Sequence, residues 1–193
     1  MTGVTVRTSR WLAPASPPPA GPSEAAAHPA CRPAAPGGEL AAHFRIRHQV
    51  FVVEQGLFLA GSGGPAGGYA GDDRDDRDDD PATIHVVGLA DGVICGTVRL
   101  YPLGEPGTWK GDRLAVLAGY RRHGLGAPLV RFAVATAGAL GGREMEAYIQ
   151  PANVEFFEWL GWRRTGGIVD YAGRGHQRMV IPLVARGHPA GSS

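Results

Sequence analysis

Apolar positions along this chain fall into stretches of helical and of alternating period, and their order predicts a layered α/β fold. Residues 30–34 form a short candidate strand that its proline confines to a sheet edge. Residues 39–53 follow with helical spacing: Leu40, Phe44, Val50 and Phe51 are apolar, with arginines and histidines interleaved. Residues 83–89 and 93–100 are two apolar runs separated by Ala90, Asp91 and Gly92, a strong hairpin signal. A strand over 109–117 would place Asp112, Leu114 and Val116 on one face and Arg113, Ala115 and Leu117 on the other. Helical period returns over 125–140, where Leu125, Leu129 and Ala133 make one apolar row and Val130, Val134 and Ala137 a second, until Gly138, Gly141 and Gly142 stop it. Residues 145–150 read as a strand with Ala147 and Ile149 opposite Glu146, Tyr148 and Gln150. A short aromatic helix then starts at Asn153, placed to cap it, with Phe156, Phe157, Trp159 and Leu160 expected in the core. Two strands, 165–171 and 177–184, complete an α/β sandwich on a mixed sheet.

Composition adds where this pattern stops. Residues 1–28 are rich in proline and alanine and are expected to be a flexible tail, as are residues 186–193, which leaves one domain over 29–185. Residues 60–81 lose all periodicity, first as GSGGPAGG and then as DDRDDRDDD. A solvated, self-repelling loop is the favoured account of that segment, with Asp79 and Asp80 the aspartates expected to matter. Residues 72–80 carry seven acids and two arginines, so the remaining balance is 17 minus 11, or +6, against +1 for the whole chain. That excess, mostly arginine, suits an anionic small molecule at least as well as nucleic acid, and no basic and aromatic stripe argues for the latter.

Several classes drop out. No apolar run approaches a membrane span and no leader pattern opens the chain, so a cytoplasmic protein without a membrane role is expected. Cys31 and Cys95 read as two buried thiols, not a disulfide. His43 and His48 sit about 140° apart around a helix, which is wrong for a metal pair, and are expected to be solvated; no metal is expected. All six serines fall in the tails or the glycine-rich loop, which leaves a serine hydrolase no rigid site.

Candidate chemistry concentrates at residues 121–126, RRHGLG, between a strand and a helix. Such a turn presents free backbone amides to an anion. Pro128 has no N–H and disfavours helical backbone at Ala127, so the amides from Gly124 to Ala127 are expected to lack partners. Lys110 is the chain's only lysine, which excludes a nucleotide-triphosphate P-loop, and the glycine spacing is not that of a dinucleotide site. A tight structural turn would explain the stretch equally well.

The segment RLAVLAGYRRHGLGAPLV resembles the acyl-CoA pyrophosphate motif of the GNAT N-acyltransferases, and NVEFFEWLGW resembles that family's second motif. The front end, LAAHFRIRHQVFVVEQGLF, is similar to a branch of bacterial acetyltransferases carrying VFVVEQ, and His176 to Met179 matches a later segment of that branch. A fainter similarity is to acetyltransferases of nitrogen-starvation or nitrilase gene clusters, sometimes joined to a purine-synthase-like partner. The resemblance implies a mostly antiparallel mixed sheet flanked by helices, in which the strand bearing Val116 splays from the strand bearing Tyr148. It implies acetyl-CoA as donor and a small amine as acceptor, by direct attack in a ternary complex. A homodimer or a protein from such a gene cluster would be the protein partner.

Carried over residue by residue, the cofactor site would comprise Leu114, Val116, Arg121, Arg122, His123, Gly124, Leu125, Gly126, Ala127, Asn153 and Phe157. Phe157 stands where the family usually has a tyrosine acid. Tyr148 is the first substitute acid, Asp112 or His176 could serve as base, and Glu54 and Arg99 are candidate substrate contacts. A non-catalytic acyl-CoA- or partner-binding module is the alternative that Phe157 raises. Acyl-homoserine-lactone synthesis, whose enzymes share the front end, is a third.

Overall fold

A computed structural model describes residues 29–58, 71–171 and 174–184. The expected tails at 1–28 and 186–193, and most of the glycine-rich stretch, lie outside the described residues. In chain order the elements are β1 (Ala30–Pro33), α1 (Gly38–Arg47), a π-helical continuation (His48–Glu54), a 3-10 turn (Asp76–Asp79), β2 (Ile84–Ala90), β3 (Val93–Pro102) and β4 (Thr108–Val116). A second 3-10 turn (Ala118–His123) leads to α2 (Gly126–Ala139), β5 (Glu144–Ile149), α3 (Val154–Trp159), β6 (Arg163–Tyr171) and β7 (Arg174–Pro182).

The strands form one seven-stranded sheet in the order β1-β2-β3-β4-β5-β7-β6. Every neighbouring pair is antiparallel except β4 and β5, which are parallel. The β2–β3 hairpin turns at Asp91 and Gly92, both at positive φ, as the Asp-Gly signal requires.

Helix α2 covers one face. Leu125, Leu129, Ala133 and Ala137 are buried there with Val98, Leu100 and Met145, so both apolar rows read from the sequence point into the core. Gly96 makes this approach possible: a Cβ on it would lie 2.8 Å from Leu125 Cδ2 and 2.9 Å from Leu129 Cδ1. Helix α1 and its π-helical continuation cover the opposite face, where Ile46 and Val50 meet Ala115.

Several expectations fail on this second face and around α3. His43 is not solvated: it is fully buried, its Nδ1 3.1 Å from the carbonyl oxygen of Val86, while His48 is exposed. The acidic segment, where described at 71–81, is not a self-repelling loop. It folds over α1, and Asp73 and Asp78 are buried with Arg47, whereas Asp79 and Asp80 stay towards solvent. Apolar periodicity could not reveal this, because polar groups become core residues only once their partners arrive from a distant segment. Arg113 does not face away from Asp112. A bulge in β4 opposite Thr97 and Arg99, with Arg113 at φ 53, inserts one residue and turns both side chains into the same cluster. Trp159 lies outside the core, 68% exposed, with Arg131 over its ring.

Candidate functional site

Parallel pairing of β4 with β5 runs from Thr108 and Glu144 only as far as Lys110 and Glu146. Beyond that pair the strands part. β4 continues to Val116 along β3, and β5 continues to Ile149 along β7. The backbone edges that face each other across this gap have no strand between them.

The RRHGLG stretch lies where β4 gives way to α2. Gly124 takes the left-handed conformation at φ 68, and an added Cβ there would meet nothing within 4 Å. Its amide is not free, as expected from the sequence, but donates to the Arg121 carbonyl at 3.2 Å, because the turn closes as a 3-10 helix first. The amides of Leu125, Gly126 and Ala127 make no backbone hydrogen bond among the described residues, so the N-terminus of α2 keeps an unpaired donor set. Arg121 fixes the turn: its Nε donates to the Val116 carbonyl at 3.1 Å, and its other nitrogen reaches both oxygens of Glu54. Glu54 therefore ties the π-helical segment to the turn. Arg122 is exposed, and His123 sits beside the Tyr120 carbonyl and Asp91.

A cavity of about 130 Å³ opens between the parted strands. Of the residues expected at the site, Asp112, Leu114, Tyr148, Asn153, Phe157 and His176 line it. Asn153 does not cap α3. Its side chain makes no capping bond, because a 3-10 turn at Pro151–Asn153 already leads into the helix, and it borders the cavity instead. Phe157 packs edge-on against Trp162 and is buried.

Below the cavity lies a buried ionic cluster. Arg47 contacts Asp73 at 2.6 Å and Asp78 at 2.9 Å; Arg99 bridges Asp75 and Asp112; Arg113 bridges Asp73 and Asp75. Arg99 donates to both oxygens of Asp112, at 2.8 and 2.7 Å. Burial alone would raise the Asp112 carboxyl, but the charge and hydrogen bonds of Arg99 bring it down to about 2. Asp78 is pulled below the usual carboxylate range against the same burial by Arg47 and Arg99. His43 is pushed down to about 3 by burial, with Arg47 and His85 adding to the effect. Arg99 itself is fully buried in this cluster and does not line the cavity.

Three aromatic rings stand in a row at one end of the cavity. Tyr148 and Tyr171 are parallel with centroids 6.5 Å apart, and His176 lies edge-on to Tyr171 at 5.4 Å. His176 Nδ1 is 2.9 Å from the Arg174 carbonyl and so donates to it, and no described residue hydrogen-bonds Nε2. Tyr171 accepts a hydrogen bond from Arg113 at 2.9 Å. The sequence reading missed Tyr171 and Lys110, both on the cavity wall. Their strand positions were legible, but the bulge at Arg113 and the crossing of β7 between β5 and β6 decide which residues converge. Gln55 also lines the cavity and accepts from Gln150 at 2.9 Å.

A mixed sheet opened at its one parallel pair, with a helix N-terminus at the mouth of the gap, is the acyl-CoA N-acyltransferase fold. The acetyltransferase (GNAT) family model matches residues 57–162, and the chain belongs to that family. A crystal structure from Lactobacillus plantarum assigned to the N-acetyltransferases is 26% identical over 81% of this chain and 99% of its own, with a TM-score of 0.65. An acyl-CoA N-acyltransferase from Pseudomonas aeruginosa (23% identity, 79% and 97% covered, TM-score 0.61) and Escherichia coli ElaA (18%, 79% and 97%, 0.63) share the fold. So does BjaI, a CoA-dependent acyl-homoserine lactone synthase (19%, 73% and 74%, 0.59). No curated protein matches the chain in sequence. Among the described residues, no helix is long and apolar enough to cross a membrane, and no group of three or more histidine, cysteine or acidic side chains could hold a metal ion.

Proposed function

We propose that the protein is an acetyl-CoA-dependent N-acetyltransferase acting on a small amine by direct attack in a ternary complex. The observation that carries this is the conjunction of parted β4 and β5, a cavity between them, and three unpaired amides at the N-terminus of α2. These parts fit the donor. The amides of Leu125, Gly126 and Ala127, beside Arg121, Arg122 and His123, would hold the pyrophosphate, and the open space at Gly124 lets it approach the backbone. The exposed edge of β4 from Leu114 to Val116 would pair with the pantetheine amides and polarise the thioester carbonyl. Asn153 and Phe157 would border the same arm.

Acyl transfer requires that the acceptor ammonium lose its proton, that the amine attack the thioester carbonyl carbon, and that the thiolate released on C–S cleavage gain a proton. His176 is the better base. Its Nδ1 proton is held by the Arg174 carbonyl, so Nε2 can accept, whereas Asp112 is an ion-pair partner of Arg99 with a carboxyl near 2. Tyr148, on the cavity wall, is the acid in place of the missing tyrosine at Phe157; Tyr171, which accepts from Arg113, keeps its own O–H free to donate and is the neighbouring alternative. Glu54 and Arg99 act at one remove, by anchoring the turn and the ionic cluster.

Thiol release from acetyl-CoA across a panel of small amines tests this. Tyr148→Phe is expected to lower kcat by roughly 10- to 100-fold with little change in the KM for acetyl-CoA, and His176→Asn to do likewise. If instead Tyr171→Phe carries the loss, the acid is misassigned. Tight acetyl-CoA binding without turnover on any amine would favour a non-catalytic acyl-CoA-binding module.

A further inference from the structure

Lys110 has no counterpart in the chemistry above. It is the only lysine of the chain, and it lies at the closed end of the gap, opposite Glu146 in the last β4–β5 pair. Its ammonium stands 4.4 Å from the centre of the Tyr148 ring and its side chain lines the cavity. Among the described residues that ammonium has no ion pair and no hydrogen bond.

The two carboxylates whose charges reach it are both spent. Asp112 is gripped by Arg99 through two hydrogen bonds, and Glu146 is held by Arg178 at 2.9 and 2.7 Å. Arg113, the other cation on the cavity wall, is saturated by Asp73, Asp75 and Tyr171. One half-buried ammonium therefore presents three donors to the cavity without an acceptor. Leaving such a charge unpaired costs free energy that an anionic ligand would offset.

We propose that Lys110 is the anion-binding group of the acceptor pocket and that the acceptor is an amine bearing a carboxylate. The inference rests on the acetyltransferase reading and deepens it. Tyr148 fixes the ammonium from below by a cation–π contact, so the charge is held in place before the ligand arrives. A single point charge in a cavity of about 130 Å³ with aromatic walls suits one carboxylate; a phosphate dianion calls for several converging donors. Burial lowers the Lys110 pKa, and an arriving carboxylate would raise it again, so binding strengthens the charge that it uses.

The test compares L-amino acids with their carboxamides as acceptors in wild type and Lys110→Met. Wild type should prefer the acids, and Lys110→Met should lose that preference by roughly 10- to 100-fold in kcat/KM, chiefly through acceptor KM, with the acetyl-CoA KM unchanged. Lys110→Arg should keep part of the preference. Equal use of acids and amides by wild type, or a preference that survives in Lys110→Met, overturns the proposal.

Absence of turnover on every amine would instead count against the acetyltransferase reading. Lys110 is then decided by binding, because selective 15N-lysine labelling gives one side-chain ammonium signal in this chain. A shift of that signal on titration with benzoate but not benzamide supports the proposal, and no shift with either refutes it.

Discussion

Replacing Asp78 by asparagine probes the least expected feature of the fold, the acidic segment packed as core. Asp78 is buried, receives two hydrogen bonds from Arg47, lies 2.8 Å from Arg99, and accepts the Asp75 amide at 3.1 Å. Removing one partner of a buried ion pair costs about 3–5 kcal/mol. Asparagine keeps part of the hydrogen bonding and Arg47 retains Asp73, so the loss belongs at the lower end, about 3 kcal/mol. For a chain of this size that lowers Tm by roughly 6–12 °C. Asp79→Asn is the control: its pair with Arg74 is long, at 3.4 Å, and 72% exposed on the Asp79 side, so the change should stay within about 0.5 kcal/mol.

The pH dependence has a fixed sign. The folded-state pKa of Asp78 is depressed, so its contribution is full above the unfolded carboxylate value of about 4, declines below it and is lost as pH falls through the depressed folded value. Urea denaturation of wild type, Asp78→Asn and Asp79→Asn at pH 7 and pH 3 measures both effects. The gap between wild type and Asp78→Asn should narrow at pH 3. A loss no larger than that of Asp79→Asn, or a gap that does not narrow, would refute the view that these charges form a folded core.

Other consequences are direct. Gly142→Ala should cost about 1–3 kcal/mol in chemical denaturation, because its Cβ would lie 2.6 Å from Leu183 Cδ1, 2.7 Å from Trp109 Cδ1 and 2.8 Å from the Ala137 carbonyl. Arg121→Met should weaken acetyl-CoA binding by roughly tenfold while changing stability by no more than about 1 kcal/mol, since its pair with Glu54 is half exposed. Burial pushes the Cys31 thiol up to about 11, so at pH 8 its alkylation by iodoacetamide, followed by mass spectrometry, should be far slower than that of a free thiol.

What was legible in the sequence and what was not divide along physical lines. The apolar run over residues 93–100 and the rows of α2 are local, and the sheet and helix they announced are present. The Asp-Gly turn and the glycine at the left-handed position of RRHGLG are also local, and both are found. The buried His43, the cluster around Arg47 and the orientation of Arg113 depend on contacts between residues 26 to 43 positions apart, which no periodicity encodes. Lys110 was noted only as excluding a P-loop, because its significance lies in what its neighbours Asp112 and Glu146 are already bonded to.

Calorimetric titration of acetyl-CoA into the wild type and into a Gly126→Leu variant measures whether the N-terminus of α2 holds the cofactor. At Gly126 an added Cβ is in ordinary contact with Phe156, at 3.5 Å, so the fold has room for a side chain that would nevertheless cover the amides of α2. Saturable binding to wild type and at least a tenfold loss in the folded variant are expected. Undiminished binding in that variant, or none to wild type, would contradict the proposed cofactor site.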